Sequence, residues 1–234
     1  MIDKSAIRNA ATIIILRDRE TEPKVLMGQR GKKAVFMPSM FVFPGGAVDP
    51  DDKDVPLAAT IPDPCHSRLL ETCDEDMTNA LTAAAVRELW EETGQILGRP
   101  GTWEGTPHAD WKDFADTGHV PDASQLQFVF RAITPPGRPR RFDARFFLTD
   151  AKNLQSDPDD FSRASDELSL LQWIPLERAR EFDLPFITEV VLAEIAQRAT
   201  DPNPPESVPF FSNNDQNRAF LRLKGEVARN DRAD

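Results

Sequence analysis

The segment Arg87-Glu88-Leu89-Trp90-Glu91-Glu92-Thr93-Gly94 constrains this chain more than any other. A helix advances about 100° per residue, so Glu88, Glu91 and Glu92 share an arc of roughly 100°. Val86, Leu89 and Thr93 fall on a different arc and can face a core. The pattern predicts a helix from Asn79 or Thr82 to Thr93, closed by Gly94, the residue type expected just past a helix end. Like charges three and four apart on an exposed helix repel by roughly 0.2–0.5 kcal/mol a pair. Carboxylates this late in a helix also face the negative end of its dipole. A hard divalent cation reverses both penalties, because Mg²⁺ takes oxygen ligands and keeps waters and substrate phosphates in its shell. A solvated acidic face has the same pattern, so the helix alone leaves both readings open.

The surrounding pattern is that of a mixed α/β chain. Residues 10–16 and 24–30 read as strands joined by the charged turn Arg17 to Pro23, and Phe41-Val42-Phe43 is a third strand stopped by Pro44-Gly45-Gly46. Residues 47–78 are rich in Asp and Pro without a clean period and read as an irregular insertion. Residues 99–124, with Trp103, His108, Trp111 and His119, read as polar loop with a short helix. Strands resume at 127–134, 141–149 and 168–174, where Pro175 ends the last of them. Helical patterns cover 176–182, 185–199 and 214–228, and the Pro-rich stretch Asp201 to Pro209 reads as a connector. Strands interspersed with helices in 234 residues predict one domain spanning 1–234, with a central mixed sheet.

Composition excludes some partners. Lys plus Arg number 28 against 39 Asp plus Glu, a net charge of −11, and bulk attraction to nucleic acid or to an anionic membrane needs the opposite balance. The amino-terminal residues lack the apolar core of a signal peptide, and no apolar run is long enough to span a bilayer. Cys65 and Cys73 are too few for a disulfide framework, and with His66 they do not match a zinc spacing. A soluble, cytoplasmic protein is the expectation, with the insertion serving as a lid or an interface segment.

The glutamate cluster is preceded by Arg87 and followed by Gly94, and Phe43-Pro44-Gly45-Gly46 lies upstream. Together these resemble the signature of the Nudix hydrolases, in which a strand, a Gly-rich loop, a helix and a further loop form a diphosphatase site. The second half of that signature, Arg-Glu-aliphatic-x-Glu-Glu-x-Gly, is intact here. The first glutamate of the signature is not. Counting forward from Gly46 puts Asp52 in its place, and counting back from Arg87 puts Asn79 there, so an insertion, residues 53–80, interrupts the box. The final aliphatic position is Gln95. An interrupted box with Phe36-Met37-Pro38 before it and Arg141-Phe142-Asp143-Ala144-Arg145-Phe146-Phe147 after it is similar to the peroxisomal-type coenzyme A diphosphatases and their bacterial relatives. The resemblance covers about residues 10–182.

The resemblance implies a Nudix-type α/β/α sandwich, with the insertion and extra carboxy-terminal helices (200–234 as an extension) added to it. It implies Mg²⁺ or Mn²⁺ held by Glu91 and Glu92, with Glu88 as a further ligand or as the group that orients the attacking water. Arg87 is implied as the partner that holds a glutamate in place. A remote acid often completes such a site, and Asp166 or Glu167, just before the strand at 168–174, is the candidate, with Glu167 taken as the catalytic one. Gly45 and Gly46 let the backbone turn beside the metal. Arg30, followed by Lys32 and Lys33, and Arg141 with Arg145, which alternation puts on one strand face with Asp143, are the candidates for holding substrate. The implied substrate is a small nucleotide, coenzyme A or an acyl-CoA cut to 3′,5′-ADP and 4′-phosphopantetheine. ADP-ribose or NADH is the next choice, and an inactive nucleotide-binding Nudix domain the alternative of another class. A homodimer is the expected assembly.

Overall fold

The computed structural model describes residues 6–32, 34, 36–213 and 218–225; Lys33 lies outside them. Strand β1 (Ile7–Arg17) is the spine of the fold, and Ile13, Ile14, Ile15 and Leu16 are fully buried, as a strand covered on both faces requires. A tight turn leads to β2 (Lys24–Arg30), and then come the short strands β3 (Phe41–Val42) and β4 (Gly45–Ala47). Helices α1 (Cys65–Leu70) and α2 (Glu75–Thr93) follow. Beyond them, β5 (Gly98–Pro100) and β6 (His119–Pro121) pair as a separate ribbon around α3 (Lys112–Ala115). The chain continues through β7 (Gln127–Ile133), β8 (Arg141–Asp150), β9 (Leu168–Pro175), helix α4 (Phe186–Gln197), β10 (Val208–Asn213) and β11 (Arg218–Leu223).

The main sheet runs β11-β10-β7-β8-β1-β2-β3. It is mixed: β1 pairs β8 in parallel over its length, from Ile7 opposite Arg141 to Leu16 opposite Asp150, and β10 pairs β7 in parallel, while β7 runs antiparallel to β8 and β2 antiparallel to its neighbours. On its other edge β1 pairs β2 only at Leu16 and Arg17, and the two strands then diverge. The segment from β3 to β4 fills the wedge. Gly45, Gly46 and Ala47 pair with Thr12, Ala11 and Ala10, and Ile13 N–H donates to Pro44 O at 2.9 Å. This divergence makes the crevice in which the glutamate helix lies. β9 takes the outer edge of β2, with Arg30 opposite Leu168 at its end.

Side-chain alternation sends the two faces of the sheet into two cores. Ala11, Ile13, Ile15, Phe128 and Phe147 meet Val86, Leu89 and Trp90 of α2. Ile14, Leu16, Phe130, Phe146 and Leu148 meet Val191, Leu192 and Ile195 of α4. Helices therefore cover both faces, the expected α/β/α sandwich. Among the described residues no helix is long and apolar enough to cross a membrane.

Three expectations from sequence are corrected. Helix α2 begins at Glu75, not at Asn79 or Thr82, because Asp74 caps it by accepting from Met77 N and two acids follow in the first turn. The insertion is neither irregular throughout nor a lid. Ile61, Cys65 and Leu69 are buried in the α2-side core, where a cluster of apolar residues at helical spacing covers sheet that α2 does not reach. The helix expected at 214–228 is absent from the described part of that range, which forms β11 at 218–223, paired with β10 from Val208 to Leu223. Val208 and Phe210 supply the alternation of a half-buried strand and extend the sheet beside β7. The described part of the extension beyond residue 200 therefore contributes strands, and α4 is the helix that covers the second face of the sheet.

Insertion and extension clasp each other. The buried Arg68 guanidinium donates to the carbonyls of Pro205 and Glu206, and Gly225 N–H donates to the Glu71 carboxylate. Removing a charged donor that serves two shielded carbonyls costs about 3 kcal/mol. Arg68→Ala should therefore lower the urea midpoint by that equivalent without altering the far-ultraviolet spectrum. An unchanged midpoint would mean that the clasp bears no load.

Candidate active site

Helix α2 lies with its carboxylate face against the turn between β3 and β4. Glu92 is almost fully buried at 2% exposure and accepts from Gly45 N–H at 2.8 Å. Gly46 packs directly on the Glu88 carboxylate, with no room for a side chain between them. Glu91 keeps 35% of its side-chain surface exposed and is the most open of the three. The helix stops at Gly94, whose φ of +73° and close approach to Arg163 exclude a side chain. Ser165 N–H then donates to Glu91 O at 3.0 Å, which pins the segment carrying Glu167 to the end of the helix.

Arg87 organises the face. Nε donates to Asp52 Oδ1 and Nη2 to Asp52 Oδ2, both at 3.0 Å, a bidentate fork between two buried side chains. Nη1 donates to Glu88 Oε1 at 3.0 Å and to Glu91 Oε2 at 3.1 Å, and Nη2 also reaches Ala47 O. Burial works to lower the Arg87 pKa, but Asp52, Glu88 and Glu91 outweigh it, so the guanidinium is held well above its ordinary value.

Asp52 thus occupies the position of the missing first glutamate. Asn79, the other candidate, has a different part: its amide donates to Lys53 O at 2.8 Å and Val55 O at 3.2 Å. Those two bonds close the base of the insertion, so the chain leaves the box after Asp52 and returns at Asn79 with the two ends tied. Gln95, in the aliphatic position, is completely buried. It donates to Asp157 O and Asp160 O and accepts from Ser156, which fastens the loop ahead of Glu167.

The carboxylates are held at a cost. Burial pushes Glu88 up to about 7 against the pull of Arg87, with Glu91 and Glu167 adding to the rise. Burial and the neighbouring Glu88 push Glu92 well up, although Gly45 N–H and Arg30 oppose it. Glu91 is raised too, by burial first and then by Asp110 and Glu167. Glu167 is exposed, and its charge is felt by all three helix glutamates. Arg30 sits across the ribbon from Leu168, and its Nε is buried with no hydrogen-bond partner among the described residues. Among the described residues Arg87 is the cation hydrogen-bonded to this group of acids, and its Nη1 bridges Glu88 and Glu91. Among the described residues no three His, Cys, Asp or Glu side chains are closed into a ligand set. The donors are nevertheless all oxygen, and buried carboxylates with raised proton affinity are groups that a hard dication would stabilise. The residues fit Mg²⁺ or Mn²⁺ once Glu91 rotates from Arg87.

The strand arginines lie elsewhere. Arg145 is 2% exposed, with Nη1 donating to Asn9 Oδ1 at 2.6 Å and to Asp143 O at 3.0 Å. Arg141 is buried and donates to Thr134 O and Asn213 O. With Arg131, which forks onto Asp143, they stitch one end of the sheet together. Alternation put them on one face, as expected, but that face is the underside of the α2 layer. The expectation that Arg141 and Arg145 hold substrate is corrected accordingly. Sequence reasoning missed Asp110, next to Glu91 in charge, and Trp111, fully buried with Nε1 donating to Asp52 Oδ1 at 3.3 Å. Their only signal was an isolated Trp in a polar stretch. A cavity of about 370 Å³ past the end of α2, lined by Asp116, Asp157, Asp160 and Arg163, includes none of the helix glutamates.

A methyl group at Gly46 would overlap the Glu88 carboxylate, the mobile end of a side chain, so the fold can absorb it while Glu88 cannot keep its place. Gly46→Ala should leave the melting temperature within about 3 °C and weaken Mn²⁺ binding about tenfold in an equilibrium titration. Wild-type affinity in this variant would mean that Glu88 takes no part in holding the ion.

No family model matches the chain. Among curated proteins it is 29% identical to nudix hydrolase 7 of Caenorhabditis elegans, over 73% of this chain and 52% of that protein. It is 28% identical to the acyl-coenzyme A diphosphatase NUDT19 of Gallus gallus, over 64% of this chain and 53% of that protein. The chain thus spans about half the length of the curated relatives it matches. Among solved structures, a NUDIX hydrolase from Alicyclobacillus acidocaldarius superposes with a TM-score of 0.61 at 28% identity, covering 86% of this chain and 95% of the other. Sequence relatives and a solved structure agree with the interrupted box: over most of its length the chain is similar to Nudix hydrolases, an acyl-coenzyme A diphosphatase among them.

Proposed function

We propose that this protein is a divalent-cation-dependent hydrolase that cuts the diphosphate of a nucleoside diphosphate linked to another moiety, with coenzyme A or an acyl-CoA as substrate. The observation that carries the reading is the convergence of Glu88 and Glu92 on Gly45 and Gly46, with Glu91 joined to Glu88 through Arg87 and with Glu167 and Arg30 at the same end of the β2–β9 ribbon. The coenzyme A choice rests on the likeness to the acyl-coenzyme A diphosphatase and on the interrupted box.

In this reading Glu91 and Glu92 hold Mg²⁺ or Mn²⁺, with Glu88 as a further ligand. The bound ion supplies charge neutralisation at the diphosphate oxygens and a more acidic water. The chain's own residues do the rest. Arg87, fixed by Asp52, sets the positions of Glu88 and Glu91. The Gly45 N–H fixes one oxygen of Glu92 and leaves the other for the ion. Glu167, exposed and close in charge to all three, accepts the proton of the attacking water. Arg30, whose Nε has no partner among the described residues, takes a substrate phosphate oxygen, and phosphoryl transfer then needs little beyond this positioning. Products from coenzyme A are 3′,5′-ADP and 4′-phosphopantetheine.

Product release from coenzyme A, an acyl-CoA, ADP-ribose and NADH, with Mg²⁺, Mn²⁺ or chelator, tests the proposal. Metal-dependent cleavage is expected, fastest for the coenzyme A compounds, with Glu91→Gln losing at least about a hundredfold in kcat. ADP-ribose or NADH turned over faster than coenzyme A would sink the substrate choice and keep the chemistry. No metal-dependent turnover of any compound by the folded protein would leave a nucleotide-binding module.

A further inference from the structure

Asp52 is a shorter side chain than the glutamate whose place it takes, and it is 1% exposed, so its charge needs full compensation inside the protein. A carboxylate has about four acceptor sites, and all are used here. Oδ1 accepts from Arg87 Nε and Trp111 Nε1; Oδ2 accepts from Arg87 Nη2 and from Asp49 N–H at 2.9 Å. Asp49 and Arg87 belong to the box itself. Trp111 does not: it comes from the turn before α3, in the segment between β5 and β6.

That turn is built to present the indole. Trp111 packs at 5.6 Å from Trp103 and edge-on at 5.5 Å to Phe114, and Phe114 meets Trp90 of α2 edge-on at 6.0 Å. Trp103 is held in turn by its Nε1 donating to His119 O at 2.8 Å. His108, at the start of the same turn, lies 3.3 Å from Asp51. The turn therefore grips Asp51 and Asp52 where the chain leaves the box for the insertion.

We infer that Trp111 is a positioning residue for the metal-binding face: its indole N–H fixes Asp52 so that the Asp52–Arg87 fork keeps Glu88 and Glu91 in place. This rests on the proposed metal-dependent hydrolysis, and it assigns to a segment outside the box the support of its altered first half. Without the N–H, one lone pair of a buried carboxylate is unsatisfied, and Asp52 can rotate away from Arg87 Nε.

The test is a double-mutant cycle between Trp111→Phe, which keeps an aromatic ring and removes only the donor, and Asp52→Asn. If Asp52→Asn does not fold, Asp52→Ala takes its place. Two quantities are read: kcat and KM with Mg²⁺ on the best substrate, and the Mn²⁺ dissociation constant by electron paramagnetic resonance, which needs no turnover. Trp111→Phe should lower kcat and weaken Mn²⁺ each by about tenfold, with KM within about twofold of wild type. In the Asp52 background the same change should add less than about twofold. Wild-type kcat and Mn²⁺ affinity in folded Trp111→Phe would overturn the inference. So would an equal loss in both backgrounds, since the indole would then act by packing alone. If wild type binds Mn²⁺ but hydrolyses no diphosphate, the functional reading fails, and the Mn²⁺ arm of the cycle still decides the role of Trp111.

Discussion

The rest of the structure depends on one guanidinium. Arg87 is the cation bonded directly to the acids of this crevice, and it is bonded at once to Asp52, Glu88, Glu91 and the Ala47 carbonyl. These four come from three stretches of chain: Asp52 from the turn leaving β4, Glu88 and Glu91 from the helix itself and Ala47 from β4. A buried charge without partners is costly, and a buried fork with partners is stable only if each partner is itself held. That requirement propagates outward. Asp52 is satisfied by Asp49 and Trp111, Glu88 is packed on Gly46, and Ala47 is paired to Ala10 in the spine of the sheet.

The insertion reads differently once Arg87 is placed at the centre. A long excursion between Asp52 and Asn79 ought to separate the two halves of the box, yet the Asn79 amide bonds Lys53 O and Val55 O and joins its ends. The excursion then pays its own way by burying Ile61, Cys65 and Leu69 over sheet that α2 leaves bare, and its Arg68 captures the strand extension at Pro205 and Glu206. The box geometry tolerates the interruption because the inserted chain folds as covering structure and stays out of the carboxylate crevice.

Much of this was legible in the residues, for identifiable reasons. β2 at 24–30 and the close of α2 at Gly94 agree with the sequence reading, since period-2 alternation and a left-handed glycine are local signals. The three helix glutamates were visible because spacing alone puts them on one arc. β4 was not visible: Gly45-Gly46-Ala47 has no strand propensity and pairs only because β1 and β2 diverge beside it. β10 was missed because its pairing to β7 is long-range and Pro209 hid the alternation of Val208 and Phe210, and β11 was missed with it because it pairs only with β10. Arg141 and Arg145 were read as substrate-holding candidates because sequence gives the strand face but not which layer covers it. The Trp111–Asp52 contact, 59 residues apart in sequence, left no periodic trace at all.

The central claim is that Glu91 and Glu92 hold a divalent cation beside the Gly45 turn. Its most direct test is a crystal structure of the protein soaked with Mn²⁺, located by anomalous scattering. The account predicts a peak bonded to carboxylate oxygens of Glu91 and Glu92 at about 2.2 Å, with Glu91 turned from Arg87 and the Asp52–Arg87 fork unchanged. A peak only in the acidic cavity at Asp116, Asp157 and Asp160, with the helix glutamates still on Arg87 and Gly45, would contradict it.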